Sequence, residues 1–582
     1  MDGRQKMRRM SFDSESGVIL PMVVIFVIAL TIVGLALLHA AVLENKLAMT
    51  EVRKNQAFYL AEAGLERTMW NLGQHFEIDF ESRWPGGEGA WPPVDGESVI
   101  YGIPVDWDSD HGYWILRYGE YDGGGPDAHK TNLGAGFYEV RLYYEGADEI
   151  RIESTGTENV KNISRTVQIY MGQGEFYPFD AAIFAGESAV AGSIINGNVR
   201  VHGTIVILGE HLGETAPEPA VELIDLLGDA GVRNNYEGME LQLEFVGGDP
   251  LMRRIPECPE VEYGGDLLES LRAKLHVRYG KVTAGGDVTI GTENIVPGIK
   301  GPLDGTYVDG GFTLSGNAAL YSDEENEPFD LVGITFPTLT EPGPEDPTMD
   351  RIDYLQDSSN SISLPDTVTE ISSNVPSFWH DASGYHPGPP PEPPPGDPEW
   401  SPSGPNYIVW DQTSGLLTIG GIVNIPVDEL KLGEKNTTIE YNGSGIIVVA
   451  ERDPDPESET GISGAIRVHG HLLAQGQYVE GNPEVGGFPN HVLGLITNDL
   501  HIAGPGETHS LITGAFFAEN VIRSDMQNEI AGTFICRRFD IGNQVPRLYQ
   551  VPALKDKIPV GMPAGRDPLK YLVFTRWSEV LG

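Results

Sequence analysis

The run Val18–Leu38, VILPMVVIFVIALTIVGLALL, carries no charged side chain. As an α-helix it rises about 1.5 Å per residue, so it reaches about 30 Å, the thickness of a bilayer core. Arg4, Lys6, Arg8 and Arg9 precede it. Basic residues on that side predict a cytoplasmic N-terminus and an exported remainder. A cleaved secretory signal has a shorter apolar core and a small-x-small cleavage site. Leu37–Asn45, LLHAAVLEN, is a weak imitation of one. Pro21 interrupts the apolar run near its start. A proline is tolerated among the first four helical residues, whose N–H groups have no intrahelical partner. A helix starting at Val18 therefore accommodates Pro21, whereas one continued back through Gly17 is expected to break there.

The helical pattern continues beyond the apolar run. Leu43, Leu47, Thr50, Lys54, Phe58, Ala61, Leu65, Met69 and Leu72 recur at spacings of three and four, and Glu44, Lys46, Glu51, Arg53, Glu62, Glu66 and Arg67 lie largely off that stripe. One long helix, membrane-embedded first and amphipathic afterwards, is the economical reading.

The basic leader, Gly17 ahead of the apolar run and the segment NQAFYLAEAGLERTMWNL (Asn55 to Leu72) together resemble the N-terminus of PilX-type type IV pilus assembly proteins, which are minor pilins. AFYLAEAGLE is the most specific part. The resemblance covers about the first 75 residues and implies cleavage by prepilin peptidase between Gly17 and Val18. It also implies helix-to-helix packing with other pilins around Pro21, Met22, Phe58, Ala61, Glu62 and Leu65. Major pilins carry glutamate at the fifth mature position, where it neutralises a neighbour's N-terminal amine inside an apolar bundle. That position is Met22 here. A subunit lacking the glutamate suits initiating or capping a filament better than repeating along it.

The rest of the chain predicts β structure. Gly 72 and Pro 42 mean frequent turns. Between Gln74 and Lys130 the periodicity is poor, and loops with short strands are expected. GFYEVRLYY (Gly136 to Tyr144), EIRIESTGT (Glu149 to Thr157) and SRTVQIYM (Ser164 to Met171) alternate apolar and polar residues as antiparallel strands do. Within the second, STGT (Ser154 to Thr157) reads as a turn; it lacks the context of a phosphate-binding loop. After Phe176, short strands are punctuated by Gly or Asn, as in SIINGNVRVHGTIVILG (Ser193 to Gly209) and EIAGTFICRRFDIG (Glu529 to Gly542). Such repetition suits a parallel β-helix, with a β-sandwich as the alternative. This region also resembles, more loosely, the β-helix-like domain that follows PilX-type N-termini in some bacterial proteins. VELIDLLGDAGV (Val221 to Val232) and GGDLLESLRAKLHV (Gly264 to Val277) read as helical insertions. Thr335–Leu355 and Asp381–Pro405 are rich in Pro, Gly and acid, and read as exposed linkers.

The expected class is thus α+β. The leader is 1–17, the transmembrane and amphipathic pilin helix 18–73, and the pilin-like β region 74–172. The β-helix-like domain is 173–575, with a Pro-rich insertion at about 381–405.

A formal charge of −47, from 85 acidic against 38 basic residues, opposes nucleic-acid binding. Calcium in the acidic loops Ser322–Asp330 and Glu451–Glu459 is the one cofactor left open, although neither loop has EF-hand spacing. His469 and His471, two apart on a strand, would face one side, but no third metal ligand can be named. The two cysteines, Cys258 and Cys536, form no CxxC pair, and their pairing stays open. There is no GxSxG elbow or Cys–His signature, so an enzyme is not expected. The expectation is a structural subunit of a type IV pilus or type II secretion-like filament, anchored in the bacterial inner membrane with its body exported. Its expected partners are other pilins and prepilin peptidase. An anchored envelope binding protein outside any filament and a surface polysaccharide-active enzyme are the rival readings.

Overall fold

The structure is a computed structural model. It describes residues 16–74, 99–100, 103–108, 111–118, 129–146, 149–186, 195–209, 221–239, 251–263, 265–293, 301–324, 326–343, 348–391, 401–451, 464–480, 486–503, 509–524, 526–541, 545–565 and 568–580. Of the sequence expectations, most of the leader, the core of the Pro-rich stretch and nearly all of the acidic loop Glu451–Glu459 lie outside the described residues.

Helix α1 runs Ser16–Gln74, one uninterrupted element of 59 residues. The break expected at Pro21 in a helix continued through Gly17 does not occur. Pro21 removes only the bond to the carbonyl four residues back, that of Gly17, one residue from the helix start, so the first turn alone is weakened.

The chain divides into two units, one of Met1–Gln173 with Leu572–Gly582, the other of Gly174–Tyr571. In the first unit, strands β1 (Ile103–Asp108), β2 (Tyr113–Leu116), β3 (Gly136–Gly146), β4 (Glu149–Glu158) and β5 (Ile163–Phe176) pair antiparallel in chain order. Their alternation is the expected one: Tyr138, Val140, Leu142, Ile150, Ile152, Val167, Ile169 and Met171 are buried. Ser154–Thr157 is no turn. It lies within β4, with Thr155 paired to both Glu139 and Thr166.

The sheet has a further strand, Leu569–Val580, next to β5. Arg165 pairs with Glu579 at 3.0 Å, Gln168 Nε2 donates to Ser578 Oγ at 2.9 Å, and Thr575 Oγ1 donates to the Tyr170 carbonyl at 3.2 Å. The numbers fall on one strand as they rise on the other, so the two strands run in opposite directions. The larger unit is therefore an insertion between two neighbouring strands of the smaller one. The sequence reading ended the body at 575 and assigned no strand to this segment.

In the larger unit most pairing is parallel. Strands β6 (Ile183–Gly186), β7 (Arg200–His202), β8 (Ile205–Leu208), β9 (Gly231–Arg233), β10 (Lys274–Arg278) and β11 (Gly305–Val308) come from its first part. Strands β12 (Ile362–Ser363), β13 (Leu416–Asn424), β14 (Thr438–Val449), β15 (Val492–Ile502), β16 (Leu511–Ser524), β17 (Glu529–Ile541) and β18 (Arg547–Tyr549) come from the second. One register line reads Ile362, Val423, Ile447, Leu495, Phe516, Phe534, Ile183, Ile205, Leu275, Thr306. Every residue on it is buried, so each strand covers the apolar side chains of the next. The stack thus opens in its middle: β6 sits against β17, the first part extends to β11, and the second part starts at the far end and returns.

The described residues between Glu327 and Ile362 run back along the stack. Asp330 lies 2.6 Å from His276, Phe336 stacks on Phe184 and Phe517, and the Leu339 amide donates to Glu519. Phe329, Leu331, Ile334, Phe336, Leu339, Ile352, Tyr354 and Leu355 are buried. Of Thr335–Leu355, expected as an exposed linker, the described residues 335–343 and 348–355 instead contribute to the core. Their Pro and acidic residues separate apolar ones that cover the outer sides of the strands. The two expected helical insertions form strands instead: the first holds Val221–Leu226 and the start of β9, the second Asp266–Glu269 and most of β10. Gly228 at φ +68° breaks the first apparent helical period, and parallel neighbours supply the hydrogen bonds a helix would have made internally.

Candidate filament-packing helix

Helix α1 changes character along its length. From Leu20 to Val52 its large apolar side chains are exposed, among them Leu20, Met22, Ile25, Phe26, Leu35, Leu43, Leu47 and Val52. The helix is long and apolar enough to cross a membrane. From Ala57 onward one face is covered: Ala57, Leu60, Ala61, Gly64, Leu65, Thr68 and Leu72 are buried. Their spacing of three and four puts them on one stripe, which packs on β3 and β4.

The contact is close because small residues meet. A Cβ built on Gly156 of β4 would collide with the carbonyl of Ala57 and the amide of Ala61, and would stand 2.8 Å from Leu60 Cβ. Gly64 is equally tight against Ser154 and Tyr138. Polar groups fix the end of the stripe. Tyr118 Oη donates to Thr68 Oγ1 at 2.8 Å, Thr68 Oγ1 donates to the Gly64 carbonyl at 2.7 Å, and Arg67 lies over the Tyr118 ring. Burial pushes the Tyr118 hydroxyl well above its ordinary range, so it stays a neutral donor.

The residues expected to pack against partner helices divide accordingly. Gly17 and Val18 lie in the first turn of α1. Pro21 and Met22 are on the exposed part, Met22 being 71% exposed. Ala61 and Leu65 are not available to a partner, because their own sheet covers them. Phe58 is partly covered, edge-on to Trp577 of the last strand at 6.3 Å, and Glu62 is half-buried. The uncovered side of this half instead carries Tyr59 and Trp70, which are 66% and 53% exposed. The expected stripe was turned by about one residue. Only Ala61, Leu65 and Leu72 of it are buried, while Ala57, Leu60, Gly64 and Thr68 were missed. Gly and Thr do not register on a hydrophobicity pattern, although small residues at these spacings are the signal for a close helix contact.

His469 follows the strand Ala465–Val468 and His471 opens the strand His471–Ala474, so they do not share one strand. Asp330 and Glu324 of the acidic loop reach His276 and the Tyr307 hydroxyl. Among the described residues no group of three or more His, Cys, Asp or Glu is placed to hold a metal ion. Cys258 and Cys536 are buried, and no disulfide joins them.

Residues 16–66 match the family described as PilX N-terminal, so the exposed half of α1 and its first buried turns are a PilX-type pilin N-terminal region. The match ends before the sheet and the larger unit begin. Among solved structures the chain is similar to the competence-associated pilin ComZ from Thermus thermophilus, at 18% identity and a TM-score of 0.45, over 91% of this chain and 98% of that one. No curated protein sequence matches the chain.

Proposed function

We propose that the chain is a minor-pilin-like structural subunit of a type IV pilus or type II secretion-like filament, acting in assembly, tip capping or adhesion. The observation that carries this reading is the divided helix. Its lower half is committed to its own sheet through Ala57, Ala61 and Gly64, while none of the described residues covers the apolar half from Leu20 to Val52. Such a surface calls for lipid first and other apolar helices afterwards. The partners are then other pilins in the inner membrane, with prepilin peptidase acting between Gly17 and Val18, and the body lies outside the cytoplasm. Met22, where a repeating pilin carries glutamate, favours a position at a filament end. The parallel ladders are read as coils of a β-helix that serves as a contact surface, without catalysis or a cofactor.

The test is expression with and without prepilin peptidase, followed by N-terminal sequencing. A new N-terminus at Val18 that depends on the peptidase is expected, with recovery in sheared filaments at low copy number. An unprocessed Met1 start in the presence of active peptidase overturns the reading. Turnover of any member of a polysaccharide panel, lost on mutation of a body carboxylate, overturns the non-enzymatic part.

A further inference from the structure

Three arginines gather on adjacent strands of the larger unit, in a chain that carries far more acid than base. Arg547 of β18 and Arg200 of β7 are direct neighbours in a parallel ladder, and the next position in that row is Gly231 of β9. Neighbouring strands lie about 4.8 Å apart, so the two arginine Cα atoms are held that close. Arg233, two residues along β9, folds back towards Gly231: a Cβ built there would stand 4.0 Å from Arg233 Nε. Glycine at 231 thus leaves the space beside Arg200 in which the Arg233 side chain lies. Arg547 and Arg200 are thus neighbours in one row, and the Arg233 side chain reaches back towards it from the position paired with His202.

Placing like charges side by side on a sheet is unfavourable, and guanidinium cannot escape by losing its proton. The nearby acids offset the group in part: Asp229 acts on Arg200 through its charge, without an ion pair among the described residues. Glu237, 61% exposed, pairs with Arg233 at 2.6 Å. Glu529 lies 3.5 Å from Arg547 but is almost wholly buried, and burial pushes its carboxyl up to about 7, despite the pull of Arg547, so near neutral pH its charge is incomplete. Arg547 also donates to the Gly238 carbonyl at 2.7 Å. Arg200 donates through Nε to the Asp229 carbonyl at 3.1 Å, and among the described residues neither of its terminal nitrogens has a protein acceptor. Burial lowers the Arg200 pKa, and repulsion by Arg547 and Arg233 lowers it further.

Beside the row, on β7, His202 is buried and stacks on Tyr549 at 4.6 Å. Its Nδ1 lies 2.6 Å from the Asn235 carbonyl oxygen, and Nε2 has no partner among the described residues. Burial holds it down to about 3, with all three arginines adding to the effect, so it is a neutral ring. With Nδ1 donating to the Asn235 carbonyl, Nε2 is an acceptor only, so His202 adds no charge to the group and the anion-holding donors are those of the arginines.

We propose that Arg547, Arg200 and Arg233 form a binding site for an oxyanion, a carboxylate, phosphate or sulfate group of a ligand, held chiefly by the free donors of Arg200 and Arg233. Paired guanidinium groups match the planar or tetrahedral oxygens of such groups through two-point hydrogen bonds. The anion offsets the repulsion within the row. The inference stands independently of the pilin reading, since it concerns only the surface of the larger unit. Two sources supply the chemistry, an acidic sugar and a phosphoryl or sulfuryl group.

The test is isothermal titration calorimetry of the full chain in detergent micelles, in Tris chloride at constant ionic strength, with sodium sulfate, inorganic phosphate or sodium glucuronate as titrant. Saturable binding of at least one titrant is expected. Glucuronate alone identifies a sugar-acid site, and sulfate or phosphate alone a tetrahedral-anion site. Arg200→Gln and Arg233→Gln should each weaken binding about tenfold or more, as loss of a charge-assisted hydrogen bond does. Arg523→Gln, which removes an exposed arginine paired with Asp540, should leave it unchanged. The melting temperature without added titrant is the second readout: Arg200→Gln should be as stable as the parent or more so, because it relieves repulsion. No saturable binding of any titrant, parental affinity in both row variants, or a clear loss of stability in Arg200→Gln without titrant would each overturn the proposal.

Discussion

Gly156→Ala is the smallest change that tests how α1 is held. The residue sits within β4 outside the left-handed region, so alanine brings no backbone strain. What it brings is a methyl group aimed at the Ala57 carbonyl, the Ala61 amide and, 2.8 Å away, Leu60 Cβ. Two of these three are helix main-chain atoms, which cannot rotate aside, so the helix must back away by about an ångström to restore ordinary contact. A gap of about 0.5–1 Å forfeits about a quarter to a half of the dispersion attraction across it. The stripe buries Leu60, Leu65 and Leu72, each worth about 1.5–3 kcal/mol. Losing that share of their burial costs about 2–3 kcal/mol, within the ordinary range for overpacking. The assay is hydrogen exchange across Leu60–Leu72 in the full chain, with the larger unit as internal reference. Faster exchange is expected in the helix and β4 alone. Gly134→Ala is the control. Its φ of +55° carries strain of about 1–2 kcal/mol, but no atom lies within 4 Å of the new methyl. If Gly156→Ala exchanges like the parent, or is milder than Gly134→Ala, the close-contact argument fails.

Phe336→Ala should destabilise the larger unit by about 3–5 kcal/mol, because the ring lies against Phe184 and Phe517 with Arg537 over it; chemical unfolding measures this, and a loss below about 1 kcal/mol would contradict the core role of the return segment. Glu529 is held protonated by burial up to about 7, above the usual carboxylate value, so folded protein binds the proton more tightly than unfolded protein. Its contribution to stability is therefore present at low pH and falls as pH rises from about 4.5 to about 7, by about 3 kcal/mol. Glu529→Gln should flatten that part of a melting-temperature profile, and an unchanged profile would refute the assignment. Both cysteines should resist iodoacetamide in the native state and react fully once unfolded without reductant, as mass spectrometry would record; an unreactive unfolded chain would mean a disulfide.

The helix was legible because an uncharged apolar run and a three-and-four pattern are local signals. So were β3, β4 and β5, where apolar residues alternate. The failures are all non-local or concern small residues. STGT looked like a turn because Ser, Thr and Gly favour turns, yet Gly156 is there to admit a helix, which nothing within a few residues announces. Leu569–Val580 has no feature naming β5 as its neighbour, because the pairing spans the whole inserted unit. Thr335–Leu355 looked polar on average, while Phe336, Leu339, Ile352, Tyr354 and Leu355 are buried in the core. The arginine row was invisible for the same reason: Arg200, Arg233 and Arg547 meet only once the register of three strands is known.

The mid-stack opening has a consequence for how the chain reaches its native state. Ile183 and Phe534 lie side by side, although roughly 350 residues of chain separate them, so contacts of very high sequence separation must form before the stack is continuous. During synthesis β6 is made early, and until β17 arrives it offers a bare row of backbone donors and acceptors. The first part of the unit therefore waits with one sticky edge while the return segment and the whole second part are delivered. Slow completion and a need for protection in that interval are built into the order of its strands, whatever surface the finished unit presents.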